Sequence, residues 1–544
     1  MKLIKLKSVF ILLIIVIIGA FLRFYNLDWG DGLFAHPDEY HIAISVNQLN
    51  FPNQMHPHFF SYGTVIIYTI YFTKTILTFL SEILNFPLSI INSFILGRFY
   101  SAIFSTLTIL LVYFTSKLIF EKKYALIAAF LVAITPGLIQ QAHFATPESI
   151  LTFFIFSAIL FFLYFLRGTN VNYLFFASVF LGLGIGTKIV AALIFPVIFL
   201  GLFIKFFKSP LKFFLYLLIF ILTVFIILTV TSPFVFLDYT AWKSSFNYEN
   251  SVARGTNIVF YTRQFVDTIP ILFQLEKILP YALGLSLTSF GILGIVFSIF
   301  SLFKKFDIRL LIILLSFFVI FIPHTLLFAK WTRFIAPVFP FFSIFSIYFI
   351  SSIPNKFNFL KRNLVYLLCL STSIWSLMFF SIYLKPDVRR TADNWVNSNL
   401  PVDSTYLLES GNTIDLPLSS KNKISLDFYN LENDTATKEK IINTLTEYNY
   451  FIIQSRRVFM NHQRLPNLYP KTAKFYAALF SGILGFGEIK EFHSYPAIPI
   501  PGITLEFPDE SAEETWSVFD HPVIRIYQKN VRYSREDYAK ILED

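Results

Sequence analysis

The chain has 544 residues, of which 55% are hydrophobic and only 14% charged, with a mean hydropathy of +0.63. Soluble domains carry about 25% charged residues, so this composition excludes a soluble enzyme and requires a polytopic α-helical membrane protein. The formal net charge of +10 does not call for nucleic acid, because much of the excess lies in short turns between apolar runs, where it sets orientation.

In chain order, Lys2, Lys5 and Lys7 precede an apolar run that starts like a signal peptide but continues through Phe21-Leu22 without a small-x-small cleavage site. The run is therefore read as an uncleaved first span, about Ser8 to Tyr25, with a cytoplasmic N-terminus. It is followed by Phe34-Ala35-His36-Pro37-Asp38-Glu39-Tyr40-His41, which sets two carboxylates and two imidazoles beside hydrocarbon. Ionisable groups in such a place mark a functional site, although Asp38 would equally serve as the N-cap of a helix starting at Glu39. His56-Pro57-His58 continue the outer loop. The apolar stretch 62–84 is long enough to cross, but crossing would place Glu121-Lys122-Lys123, Lys304-Lys305 and Lys361-Arg362 outside. It is expected to lie on the outer face as one or two interfacial helices.

Ten further spans are predicted at about 98–119, 124–141, 149–166, 172–187, 189–206, 211–231, 281–303, 309–328, 334–353 and 363–384, making about eleven. The inner turns then hold most of the lysines. The outer turns hold isolated polar residues against span ends: Arg98, His143, Glu148, Lys188, His324, Lys330 and Arg333, with Arg254 in the outer loop 232–280. Each cation taken singly reads as a snorkelling side chain. Together, on the face that carries Asp38, they describe a pocket for a phosphate-bearing ligand. Residues 1–384 thus form the membrane domain, with outer loops 26–97 and 232–280. From 385 to 544 the composition becomes mixed, and Tyr406-Leu407-Leu408, Tyr450 to Gln454 and Val523 to Tyr527 read as strands of an extracytoplasmic α/β domain. The only cysteine, Cys369, lies in an apolar run, so no intrachain disulfide staples that domain.

Nucleotide-binding glycine loops and CxxC pairs are missing from the sequence. Gly182, Gly184 and Gly186 lie inside an apolar span, where small residues mean close helix contact. His36, Asp38, Glu39 and His41, with His143 and Glu148, could hold a divalent metal, but no recognised ligand spacing is present and no metal or other cofactor is expected.

The outer "PDE", "GRFYSAIFSTLTILLVYFTSKLIF", "HFATPESILTFF", "GLGIGTKIVAALIFP" and "RFIAPVFPFFSIFSI" (Arg333 to Ile347) together resemble the GT-C fold membrane glycosyltransferases. The nearest resemblance is to the bacterial dolichyl-phosphate-mannose–protein mannosyltransferase-like group, which includes the lipid A aminoarabinose transferases. It covers about residues 1–350. The resemblance implies a polyprenyl-phosphate-linked sugar donor, an envelope acceptor (protein, lipid or polysaccharide) and transfer at the outer face. It matches Asp38 to the catalytic aspartate, Glu148 to a second outer acid and Lys188 to a lysine near the carrier phosphate. Where the aminoarabinose transferases show an Arg and a Lys, this chain has His41 and Met55-His56-Pro57. The ending "EETWSVFDHPVIRIYQK" also resembles the close of many bacterial members, without an implied function.

The residue types fit that chemistry on their own terms. Sugar transfer from a phosphate needs one carboxylate to take the nucleophile's proton and cations to hold the leaving phosphate. Asp38 is the expected base, and Glu39 or Glu148 positions the acceptor. Lys188, Arg98, Arg254 and Arg333 are the phosphate candidates, with His41, His58 and His143 as further substrate contacts. Inversion by single displacement follows. A transporter for a charged solute, or a silent glycan-binding relative, are the alternative readings, although no repeat of halves supports transport.

Overall fold

The computed structural model describes residues 2–85, 92–410, 414–418, 422–500 and 502–543; residues 86–91, within the predicted outer loop 26–97, lie outside that set. The chain divides into two compact units. One comprises Met1–Leu27, Pro37–Asn257 and Thr268–Phe380, the other Asp28–His36, Ile258–Asp267 and Ser381–Asp544.

The first unit is helical: α1 (Lys2–Phe24), α2 (Pro37–Gln48), α3 (Thr64–Leu84), α4 (Ser93–Ser116), α5 (Lys122–Ala133), α6 (Pro136–Ala142), α7 (Glu148–Gly168), α8 (Val171–Ile185), α9 (Phe195–Phe206), α10 (Pro210–Thr231), α11 (Tyr239–Arg254), α12 (Leu285–Lys304), α13 (Ile308–Leu326), α14 (Phe339–Ser352) and α15 (Asn358–Phe380). Among the described residues nine helices are long and apolar enough to cross a membrane, and the pair α5/α6, bent by 54°, makes a tenth. Ser8–Phe24 and α8 are shorter apolar helices. Each of the eleven predicted spans thus has its helix.

The stretch 62–84 is a single helix, α3, whose length would permit a crossing. The pairing of α1 with α4 argues against one. A methyl on Gly19 would meet Ile109, Arg23 Nε donates to Ser105 Oγ (2.7 Å), and Arg98 Nη1 donates to the Leu27 carbonyl (2.7 Å). One residue number rises as the other falls, so α1 and α4 run antiparallel, and Leu27 and Ser93 share one end of the bundle. Ser93 Oγ and Lys74 Nζ both reach Asn47 Oδ1 at 2.8 Å, in keeping with this. The middle of α3 thus lies beside the start of α4.

Arg23 explains the bend between α5 and α6. Pro136 has no N–H to offer the Val132 carbonyl four residues back. The buried guanidinium supplies donors instead, to Val132 O (2.9 Å) and Ala133 O (2.7 Å).

The second unit is α/β, with α16 (Val388–Asn399), β1 (Tyr406–Glu409), β2 (Lys423–Leu426), α17 (Thr435–Glu447), β3 (Tyr450–Ile453), β4 (Phe486–Phe492), β5 (Ala497–Ile500), β6 (Ile503–Glu506) and β7 (Ile524–Lys529). Five strands pair in the order β2-β1-β3-β7-β4; β2, β1 and β3 are parallel, and β7 is antiparallel to both β3 and β4. β1 and β3 are buried throughout because both sheet faces are covered. Leu407, Phe451 and Tyr527 face one apolar cluster, and Leu408, Ile452 and Ile526 face the other.

Two pieces from far earlier in the sequence complete this unit. Arg263 donates to Tyr429 O (3.1 Å) and pairs with His462 Nε2 (2.7 Å), while Gln264 Nε2 donates to Glu513 Oε1 (2.8 Å). Arg390 reaches the Asp31 carbonyl (2.5 Å), and the His36 ring lies 4.2 Å from that of Phe519. Composition places both pieces in outer loops of the membrane domain. Their membership here rests on partners hundreds of residues away.

The closing motif is a buried polar knot in this unit. His521 lies between Asp520 Oδ1 (2.5 Å) and Asp509 Oδ2 (3.0 Å), and Trp516 Nε1 donates to the same Asp509 oxygen (2.8 Å). Burial alone would depress the imidazolium, but the two carboxylates outweigh it and push His521 up from 6.5 to about 10. The stabilisation is therefore complete below 6.5 and lost as pH rises through about 10. Denaturation midpoints followed by Trp516 emission should fall over that window in the wild type and respond less in His521→Gln.

Candidate active site

Asp38 and Glu39 enter on the first turn of α2, behind Pro37, where a helix N-terminus favours both proline and carboxylates. Consecutive helical residues diverge by about 100°, so the two acids point to different surroundings. Glu39 points inward and is fully buried. Its oxygens accept from Arg98 Nε and Nη2, both at 2.8 Å, and from the Ala145 N–H at 2.6 Å. With Arg98 also tied to Leu27, this pair joins the end of α1, α2, α4 and the turn before α7. The residues predicted as acceptor and phosphate contacts, Glu39 and Arg98, are thus placed as a structural clamp, away from any open face.

Asp38 points to the partly open side, 17% exposed. Its Oδ2 accepts from Tyr62 Oη (2.8 Å) and is contacted by Arg333 Nη1, whose guanidinium lies 5.1 Å over the Trp331 ring. The Tyr62 ring joins this acid to the next charged pair. Lys188 Nζ lies 5.2 Å from the rings of both Tyr62 and Phe334, and donates to Glu148 Oε1 at 2.8 Å. Glu148 Oε2 is buried and has no hydrogen-bond partner among the described residues. Burial, then Glu148 and Glu249, hold the Tyr62 phenol well above its ordinary value, so it remains a donor.

Close backbone contact fixes Tyr62 against Lys188. Gly63 N donates to Thr187 O (3.0 Å) and Val65 N to Gly186 O (3.1 Å), and a methyl on Gly63 would collide with the Gly186 carbonyl. The glycines of α8 serve the same closeness: Gly182 meets Ile227 of α10, and Gly184 meets Ala191.

Four predicted contacts lie apart from this cluster. His143 is buried, with Nδ1 at 2.8 Å from Ile139 O and Nε2 at 3.0 Å from Tyr25 O, so both ring nitrogens are engaged by backbone. His41 is exposed and stacks on Phe59. His58 is exposed, bonded to Gln54 (2.8 Å) and packed against the His56 ring. Arg254 is exposed at the end of α11. Tyr62, Trp331 and Phe334 were not legible as site residues, since no motif surrounds them. Among the described residues no three His, Cys, Asp or Glu side chains come together in a way that could hold a metal.

Residues 83–234 match the family model of dolichyl-phosphate-mannose-protein mannosyltransferase. No curated protein matches the chain by sequence. Among solved structures it is similar to the Archaeoglobus fulgidus oligosaccharyltransferase tethered with an acceptor peptide, at 16% identity and a TM-score of 0.52 over 86% of this chain and 72% of that one. The oligosaccharyltransferase AglB of the same organism, in complex with an inhibitory peptide and a dolichol-phosphate, gives 15% and 0.50 over 94% and 77%. ArnT from Cupriavidus metallidurans bound to undecaprenyl phosphate gives 12% and 0.50 over 96% and 97%. At such identities the structures speak for the fold. The chain thus shares the multi-pass, mostly helical fold of these structures, and residues 83–234 carry the match to the mannosyltransferase family model.

Proposed function

We propose that the chain transfers a sugar from a polyprenyl-phosphate carrier to an envelope acceptor at the outer face of the membrane, by single displacement with Asp38 as base. The reading is carried by one observation: Asp38, Arg333 and the Lys188–Glu148 pair gather around Tyr62 in the helical unit. Two of the similar structures hold dolichol-phosphate or undecaprenyl phosphate, and a third holds an acceptor peptide. In this reading the N-terminus is cytoplasmic, and the site and the α/β unit are extracytoplasmic.

The acceptor hydroxyl or amine attacks the anomeric carbon as Asp38 takes its proton. The bond from that carbon to the phosphate oxygen breaks, and its electron pair goes to the phosphate. Lys188 and Arg333 are the cations within reach of that developing charge. The buried Glu148 Oε2 suits a donor on the acceptor, and such a contact would satisfy an oxygen otherwise costly to bury.

Proteoliposomes supplied with radiolabelled polyprenyl-phosphate sugars and envelope fractions test the proposal. Label covalently attached to an acceptor supports it, and label that crosses the bilayer unattached overturns it. Within that assay, Lys188→Ala should lower transfer by roughly 100-fold or more, as loss of one charge-stabilising donor does elsewhere. Lys188→Arg should recover part of the rate, because the ammonium acts by charge.

A further inference from the structure

The α/β unit carries a cleft of about 550 Å³ between the ends of β4 and β7 and the helix Pro470–Phe480. One wall is aromatic. Phe480 closes that helix 40% exposed, with its ring 5.3 Å from that of Phe459 and 6.2 Å from that of Tyr527. Gly482, at φ +79°, turns the chain beside it without setting a side chain over the mouth.

The other wall is polar and held in place. Arg525 of β7 donates to both oxygens of Glu510, from Nη1 at 3.2 Å and from Nη2 at 2.6 Å. Its Nε lies 3.0 Å from Glu491 Oε2, and its guanidinium stands 5.6 Å over the Phe459 ring. Next to it a bulge in β4 skips Ile489 in the pairing with β7, leaving Glu488 opposite Tyr527. Glu488 Oε2 accepts from Tyr527 Oη at 3.0 Å. Burial and then Glu488 hold that phenol above its ordinary value, so it keeps its proton.

Three carboxylates thus face one guanidinium, a balance that repels phosphate and other anions and favours a ligand rich in donors. The volume falls among small-molecule sites, which join apolar and aromatic walls to a few placed polar groups. A sugar offers the matching surface, with C–H groups across one face of the ring and hydroxyl donors at its rim. We infer that this cleft is a carbohydrate subsite, holding an uncharged sugar unit against Phe480 with its hydroxyls donating to Glu488 and Glu510. It belongs to the α/β unit, whereas Asp38, Lys188 and Arg333 belong to the helical one. The inference therefore goes beyond the proposed transfer and is tested without it.

The full chain in nanodiscs is mixed with the methyl glycosides of mannose, glucose, galactose and N-acetylglucosamine, and saturation-transfer NMR reads contact with each. At least one glycoside should be saturated, most strongly at the C–H protons of one ring face. That saturation should persist in Asp38→Asn and be lost in Phe480→Leu and in Glu488→Gln. Glu488 is exposed, so its amide variant decides the matter even if Phe480→Leu fails to fold. No saturation of any glycoside by the wild type overturns the inference, as does saturation that survives in Glu488→Gln. Loss of the signal in Asp38→Asn would assign it to the helical unit instead. Saturation of tetramethylammonium but of no sugar would make the cleft a cation site, and the inference would be wrong.

Discussion

Asp38→Asn is expected to abolish sugar transfer while the protein stays folded. The amide is nearly isosteric with the carboxylate and still accepts from Tyr62, but it cannot take the acceptor's proton. A lost general base costs roughly 100- to 10,000-fold in rate. The fold should survive because Asp38 and Arg333 are 17% and 20% exposed, so water reaches the guanidinium left behind. Initial rates of transfer, measured beside melting curves in the same detergent, check both halves. A rate within a few-fold of wild type with normal melting would remove Asp38 from the chemistry, and with it the single displacement proposed above.

Glu39→Gln, one position later, should give the opposite pattern. Both partners of the Glu39–Arg98 pair are fully buried, and removing one charge from such a pair costs about 3–5 kcal/mol because the other is left uncompensated. Against a total stability of about 5–15 kcal/mol, the variant should accumulate poorly and melt early. The double change Glu39→Met with Arg98→Met removes both charges and should recover much of that loss. Melting and yield for the two singles and the double complete the cycle. If Glu39→Gln instead melted normally and lost only transfer, the buried pair would belong to catalysis.

These two neighbouring acids show how far the sequence could be read. Asp38 and Glu39 form one acidic dipeptide on the page, and only the angle between successive helical residues separates their environments. Arg98 looks like a snorkelling cation because its partner is 59 residues away. The spans were legible because some 20 apolar residues have few other uses, whereas α3 is long and apolar enough to join them and only the charges of later turns set it apart. Glu148 and Lys188 were legible as a resemblance, and the structure joins them in one ion pair. Tyr62 was not, because its importance lies in Gly63 packing on Gly186, a contact that leaves no pattern in either segment. The histidines divide for a related reason: His143 is engaged by two carbonyls that any sequence supplies, whereas His56 meets an aspartate 182 residues on. In the α/β unit the buried strands β1 and β3 announced themselves by apolar runs. β4, half exposed and rich in charge, did not.

That unit is assembled from three separated lengths of chain, Asp28–His36, Ile258–Asp267 and Ser381–Asp544. It follows that severing the polypeptide once, at the end of the last membrane helix, does not yield it whole. A fragment beginning there would present bare the surfaces on which Arg263, Gln264 and His36 rest, with Glu513 deprived of its amide donor and His462 of its guanidinium. Evolution, like the experimenter, cannot exchange this module for another by a single splice.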